Sequence, residues 1–210
     1  YFYIDGADDT STREKYNTEN LSIGDFRRKQ VDLFIEALSN EIRAYNQENH
    51  KAVQLGISPT GVYKNANSQT EANTPIEDYI FDSNGNLVYP TGATTGCQMH
   101  YESYLYCDTL KWVNNEWINY ILPQTYWAQN HSLAPYERLI NWWNQAVSKK
   151  NVNLYAGMGI YMWLTNTNEA YEQLVINDAL EHVKGTSIYS YKQIAAAYNN
   201  TDVSAKEQMN

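Results

Sequence analysis

One pattern constrains the fold of this chain more than any other. After a long helix-period segment, short apolar runs alternate with amphipathic stretches four times over. "DFRRKQVDLFIEALSNEIRAYN" spaces Val31, Phe34, Ile35, Leu38, Ile42 and Tyr45 three and four apart, the spacing of one helix face, with Asp25 as its N-cap. A strand at Ala52–Pro59, the helix "YESYLYCDTLKWVNNE", the strand "YILPQTYW" and the helix "PYERLINWWNQAVSKK" follow, the last with Pro135 in its first turn. Then come the strand "VNLYAGMGIYM", a helix "NEAYEQLVINDALEHV" capped by Asn166 or Asn168, the strand "GTSIYSY", and a short helix "KQIAAAYNN" before a polar tail at 201–210. Strict alternation of this kind implies parallel strands joined by crossover helices.

An open doubly wound sheet and a closed (β/α)8 barrel both satisfy that order. Side-chain alternation favours the barrel. In the first strand Val53, Leu55, Ile57 and Pro59 oppose Gln54, Gly56 and Ser58; in the third, Val152, Leu154, Ala156, Met158 and Ile160 oppose Asn153, Tyr155, Gly157, Gly159 and Tyr161. One face is apolar, fit for helices, and the other is small, polar or aromatic, which suits a barrel interior; open parallel sheets bury two apolar faces. Barrel sites form at the C-terminal strand ends. Ser58, Gln124, Tyr126, Tyr155, Tyr189 and Tyr191 are therefore expected at the mouth, with Trp127 as a stacking surface at its rim. Tyr155 equally suits a structural place inside the barrel.

The connection at 60–102 is far longer than ordinary loops and reads as a lid, a wall or a decorative insertion. Within it "YIFDSNGNLVYP" predicts a hairpin around Asn84-Gly85.

Composition narrows the partners. A net charge of −9 offers nothing to neutralise a run of phosphates, so no nucleic-acid partner is expected. Nineteen tyrosines and six tryptophans against four phenylalanines supply rings with a hydrogen-bonding group. Such rings suit wet clefts that take ligands of mixed polarity, sugars among them, or simply a Tyr-rich core and surface. Cys97 and Cys107 make no disulfide framework and read as two free thiols, Cys107 within a helix. His50, His100, His131 and His182 lack metal-site spacing, and neither a phosphate-binding glycine turn nor a nucleophile elbow is present. No metal and no cofactor are expected. His131 reads as a loop histidine and a candidate substrate contact.

Five segments, "DFRR", "GISPTGVYKN", "YCDTLKWVNNEWINYILPQTYW", "YERLINWW" and "LYAGMGIY", in this order, resemble the glycosyl-hydrolase-like ten family of bacterial cell-surface proteins, from Tyr1 to about Tyr191. The resemblance implies a (β/α)8 barrel related to glycoside hydrolases and an action on cell-wall glycans. The family carries an Asp-Asp pair at the end of its fourth strand, just before a "YFY" segment. That segment matches Tyr1-Phe2-Tyr3, which makes residues 1–200 the last four β/α units and places the pair upstream of Tyr1. A rival alignment sets Asp8-Asp9 on the pair. The resemblance also implies an extracellular or cell-surface location.

Glycosidic hydrolysis takes two carboxyl groups, roughly 5–5.5 Å apart for retention or about 6.5–9.5 Å for inversion. The strand ends supply none. Asp5, Asp8 and Asp9 in the opening segment are weak candidates, or a solvated acidic turn; Glu102 and Asp108 are expected to face solvent or to cap the second helix. The expectation is a chain that supplies the glycan-binding half of a glycosidase and is inactive alone, or else a non-catalytic carbohydrate-binding or scaffold module. Four barrel strands leave two open edges, so the expected partner besides polysaccharide is an N-terminal half-barrel or a second copy.

Overall fold

The computed structural model describes residues 8–102, 105–163 and 167–198; Tyr1, Asp5, Asn166 and the tail at 201–210 lie outside them. In chain order the elements are α1 (Thr10–Tyr16), α2 (Ile23–Asn49), β1 (Gly56–Ile57), α3 (Gln69–Ala72), β2 (Ile80–Phe81), β3 (Leu87–Tyr89), α4 (Thr109–Asn114) and β4 (Tyr120–Ile121). After them come α5 (Tyr136–Val147), β5 (Asn153–Gly159), α6 (Thr167–Ala179), β6 (Val183–Tyr189) and α7 (Tyr191–Tyr198).

β1, β4, β5 and β6 pair in that order, all parallel. Spatial order equals chain order, so the winding never reverses as it does in a doubly wound sheet. This α/β arrangement is compatible with part of a (β/α)8 barrel. β1 and β4 are shorter than the apolar runs suggested because Pro59 and Pro123 have no N–H to give to a ladder. Their carbonyls still accept. Gln124 N donates to Pro59 O at 3.0 Å and Gly157 N to Pro123 O at 3.0 Å, which carries the parallel track up to Gln124.

The expected parity holds along β4 and β5, whereas Val53, expected on the same apolar face, lies before β1 and is 46% exposed. Ile121, Leu154, Ala156 and Met158 are wholly buried on the helical side, the first three in one cluster with Trp112, Val113, Leu139, Ile140 and Trp143. On the other side a ring layer crosses the sheet: Tyr120 lies over Gly56, where a Cβ would come within 1.9 Å of the ring, and meets Tyr155 edge-on at 5.8 Å.

Several local expectations are corrected. Ser22 caps α2: its Oγ accepts from Asp25 N, while Asp25 accepts from that hydroxyl. Phe34 and Tyr45 are half exposed, whereas Asp32 and Ser39 are buried; the buried stripe turns toward α4, where Trp112 Nε1 donates to Asp32 at 2.6 Å and Lys111 Nζ at 2.8 Å. Among the described residues the second helix is Thr109–Asn114, capped by Asp108, which accepts from Lys111 N; Ser103 and Tyr104 of the expected span lie outside them. Cys107 therefore precedes the helix; both cysteines are free thiols, and burial pushes that of Cys107 up to about 11. Asn168 lies inside α6 rather than at its cap.

The hairpin forms as β2 and β3, with Gly85 at φ +74 and Asp82 gathering the N–H groups of Asn84 and Asn86. Its turn is pinned at the C-terminal end of α5, where Lys150 Nζ donates to Asn84 O and Asn86 Oδ1. That end is opposite the strand C-termini. The hairpin of the insertion thus lies along the helical layer and reaches away from the mouth, while its two ends, at Thr60 and His100, stay beside it. The insertion is well anchored: Trp142 Nε1 donates to Pro90 O, and nearly buried Glu71 accepts from Asn67 and Thr91.

Candidate functional site

At the C-terminal ends of β4, β5 and β6 three tyrosines meet. Tyr126 leaves the track of β4, Tyr161 sits in the 3-10 turn after β5, and Tyr189 closes β6. Their ring centroids are 6.1 Å apart for Tyr126 and Tyr161, 6.3 Å for Tyr126 and Tyr189, and 6.2 Å for Tyr161 and Tyr189. Gly159 is the floor, in register with Tyr189; a Cβ there would come within 3.1 Å of Tyr126 and 3.2 Å of Tyr161. All lie on the face turned away from the helices. Burial and the neighbouring phenols raise the Tyr126 hydroxyl above its ordinary range, so it remains a neutral donor and acceptor at physiological pH.

Beside this cluster, Gln124 Nε2 reaches Ser58 O at 3.2 Å and Ser58 Oγ at 3.4 Å. The two line a cavity of about 370 Å³ next to β1, together with Thr60, His100, Cys107 and Trp112. His100 is bonded at both nitrogens, to Thr60 Oγ1 at 3.2 Å and Thr109 Oγ1 at 2.7 Å. Burial drives its pKa down to about 3, so it is a neutral wall residue and a poor base.

Trp127 and His131 also come together, edge to face at 6.4 Å. His131 Nδ1 accepts from Ala134 N at 3.0 Å, which leaves the proton on Nε2. Two expected mouth residues stand apart. Tyr155 lies in the ring layer with Tyr120, nearer the strand starts, and Tyr191 is 79% exposed at the start of α7.

The acidic candidates are engaged elsewhere. Asp9 takes Arg27 through both oxygens, at 2.8 and 3.0 Å, and Arg13 at 2.9 Å; those guanidinium bonds hold its carboxyl well below the usual range. Asp8 accepts from Thr10 N at the head of α1. Asp108 is the cap of α4 and accepts from Tyr63 Oη at 2.9 Å. Asp5 lies outside the described residues. Among the described residues, no His/Cys/Asp/Glu group is placed to hold a metal, and no helix is long and apolar enough to cross a membrane.

Residues 4–173 match the family model described as Glycosyl hydrolase-like 10. The chain belongs to that family. It is 31% identical to Glycosyl hydrolase YngK of Bacillus subtilis (strain 168), over 92% of this chain and 36% of that protein. It is 30% identical to Glycosyl hydrolase DigH of Escherichia coli O6:H1, over 90% of this chain and 41% of that protein, and 29% identical to DigH of strain K12 over the same shares. The chain thus spans about two fifths or less of the length of these relatives.

In this glycosyl hydrolase-like 10 chain the sequence places Tyr161 on the inward face with Gly157 and Gly159 but not among the mouth residues, because the strand is expected to run on through it; the strand ends at Gly159, and Tyr161 sits in the turn beyond. The sequence reading passed over a polar stripe on α6. Glu169, Gln173 and Asn177, spaced by four, are all buried, at 7%, 0% and 3% exposure. Three polar residues at helical spacing among apolar ones were the signal.

Proposed function

We propose that this chain is the glycan-holding part of a glycoside hydrolase-like protein that acts on bacterial cell-wall or related polysaccharide. The observation that carries the reading is the meeting of Tyr126, Tyr161 and Tyr189 over Gly159 at three adjacent strand ends. Ring faces take the C–H side of a pyranose, while phenols and neighbouring amides exchange hydrogen bonds with its hydroxyls. Gln124, Ser58, Trp127 and the Nε2–H of His131 would extend that surface, with Tyr155 beneath it and Tyr191 at its margin. Membership of the family and relatives named glycosyl hydrolases support the same class.

In this proposal the chain forms the last four units of a (β/α)8 barrel. The carboxylate pair would come from residues upstream of Tyr1, and the open edges of β1 and β6 would meet an N-terminal half-barrel or a second copy. The setting would be extracellular or at the cell surface, where such polysaccharide lies. A second reading, a carbohydrate-binding or scaffold module without chemistry, is favoured by one observation. Among the described residues, the strand ends present amide, hydroxyl and phenol groups and no carboxylate.

Mass spectrometry after incubation with purified cell-wall glycan strands tests both. Intact glycan that co-sediments with the chain is the expected result. Released fragments would require a carboxylate inside these residues, and neither release nor co-sedimentation would sink the glycan reading altogether.

A further inference from the structure

The polar stripe of α6 has an address. Glu169 Oε1 accepts from Gln129 N at 2.8 Å and from Gln173 Nε2 at 2.8 Å, and Gln173 Nε2 also donates to Trp127 O at 3.0 Å. One acid–amide pair on the helix after β5 therefore grips both ends of the tripeptide Trp127–Gln129 in the loop after β4. A turn further on, Asn177 accepts from Tyr136 Oη at 2.7 Å and donates to Thr186 Oγ1 at 3.0 Å, which fixes α6 against α5 and β6. The grip is therefore set on a helix that cannot easily slide.

Apolar residues would bury this contact without such directionality. Desolvating a carboxylate and an amide is costly unless each bond is made, and what such bonds supply is a single geometry. Gln173 makes the point: its Oε1 has no partner among the described residues, so its amide is turned to serve the loop at the expense of its own acceptor. The gripped segment directly follows Tyr126 and carries Trp127, whose ring lies within 2.8 Å of a Cβ placed on Gly61. The rim is thus defined from two sides.

We infer that Glu169 and Gln173 are positioning residues that hold the aromatic rim in its ligand-binding geometry without touching the ligand. The inference rests on the glycan reading above. It adds that affinity at the rim is controlled from the buried face of α6.

The test uses the full 210-residue chain, with binding of purified cell-wall glycan strands followed by tryptophan fluorescence, and amide hydrogen exchange over residues 127–131. Glu169→Ala should weaken binding about tenfold and speed exchange at Gln129, because a buried donor loses its acceptor. Glu169→Gln keeps an oxygen that accepts both bonds and should stay within about twofold of the parent. Gln173→Met preserves volume, removes the donor to Trp127 O and should likewise weaken binding about tenfold, which carries the test where the alanine variant fails to fold. Equal affinity and equal Gln129 protection in the parent, Glu169→Ala and Gln173→Met would overturn the inference. Absence of glycan binding by the parent would instead overturn the glycan reading, and exchange at Gln129 would still decide whether the tether exists.

Discussion

The rings of Tyr126 and Tyr189 lie nearly parallel, 6.3 Å between centroids and inclined by 22°, although they stand at the ends of strands that are not neighbours. β5 runs between them and makes room by placing Gly159 at the level of both rings. The aromatic cluster therefore depends on an absent side chain as much as on three present ones.

Gly159→Ala tests that dependence. Gly159 has φ −86, an ordinary value for any residue, so the substitution acts through space and not backbone strain. Its methyl would press on Tyr126 and Tyr161 at 3.1 and 3.2 Å. The expected cost is about 1 kcal/mol of unfolding free energy, by urea titration, with a changed near-ultraviolet circular dichroism signal. An unchanged signal would mean the rings are not held as described.

His100 makes the fold acid-sensitive in a defined window. Its folded pKa of about 3 lies below the unfolded value of 6.5, so the unfolded chain binds a proton that the native one refuses. Its effect is absent above pH 6.5, and stability falls as pH drops toward 3, by on the order of 3 kcal/mol at pH 4. His100→Gln should flatten the slope of stability between pH 6.5 and 4. The Asp9 carboxylate acts in the same direction at lower pH: its stabilisation is present above its ordinary value of 3.8 and is lost as stronger acid protonates it.

Asp9 serves as an anchor between Arg13 and Arg27. Asp9→Asn should destabilise by about 2 kcal/mol, since bonds to charged groups are the stronger ones. It should leave glycan binding at the rim unchanged. Loss of binding at full stability would return Asp9 to the list of functional acids.

The insertion at 60–102 should resist protease in the native chain, because Glu71 answers four donors from Asn67 and Thr91. Glu71→Ala orphans those groups and should open this segment to limited proteolysis while the β4–β6 region remains protected.

Among the described residues β1 and β6 are the edges of the sheet without a further strand, which predicts self-association. Sedimentation velocity should find dimers, or unfolding should show marginal stability. A cooperatively folding, stable monomer would speak against the half-barrel proposal.

Much of this was legible in the residues. Alternating periods of two and 3.6 led to parallel strands with crossover helices, and strict parity along Val152–Met158 separated the helical face from the ring face. Asn84-Gly85 announced its hairpin. These signals are local, each carried by side chains a few residues apart. What failed locally failed for the same reason: Ser22 rather than Asp25 caps α2, and Leu105, Tyr106 and Cys107 imitated a helix that begins only after its cap at Asp108.

Only the tertiary structure decided which distant residues meet. No spacing reveals that Gln129 and Glu169 share a hydrogen bond, that the hairpin turn runs down to Lys150, or that Asp9 is claimed by Arg27. These pairings follow from how the helices pack, and packing is settled by the summed burial of Trp142, Trp143 and their neighbours rather than by any one motif. The order and the faces of the elements were written along the chain; the rim that Tyr126, Tyr161 and Tyr189 form exists only once three strands stand side by side.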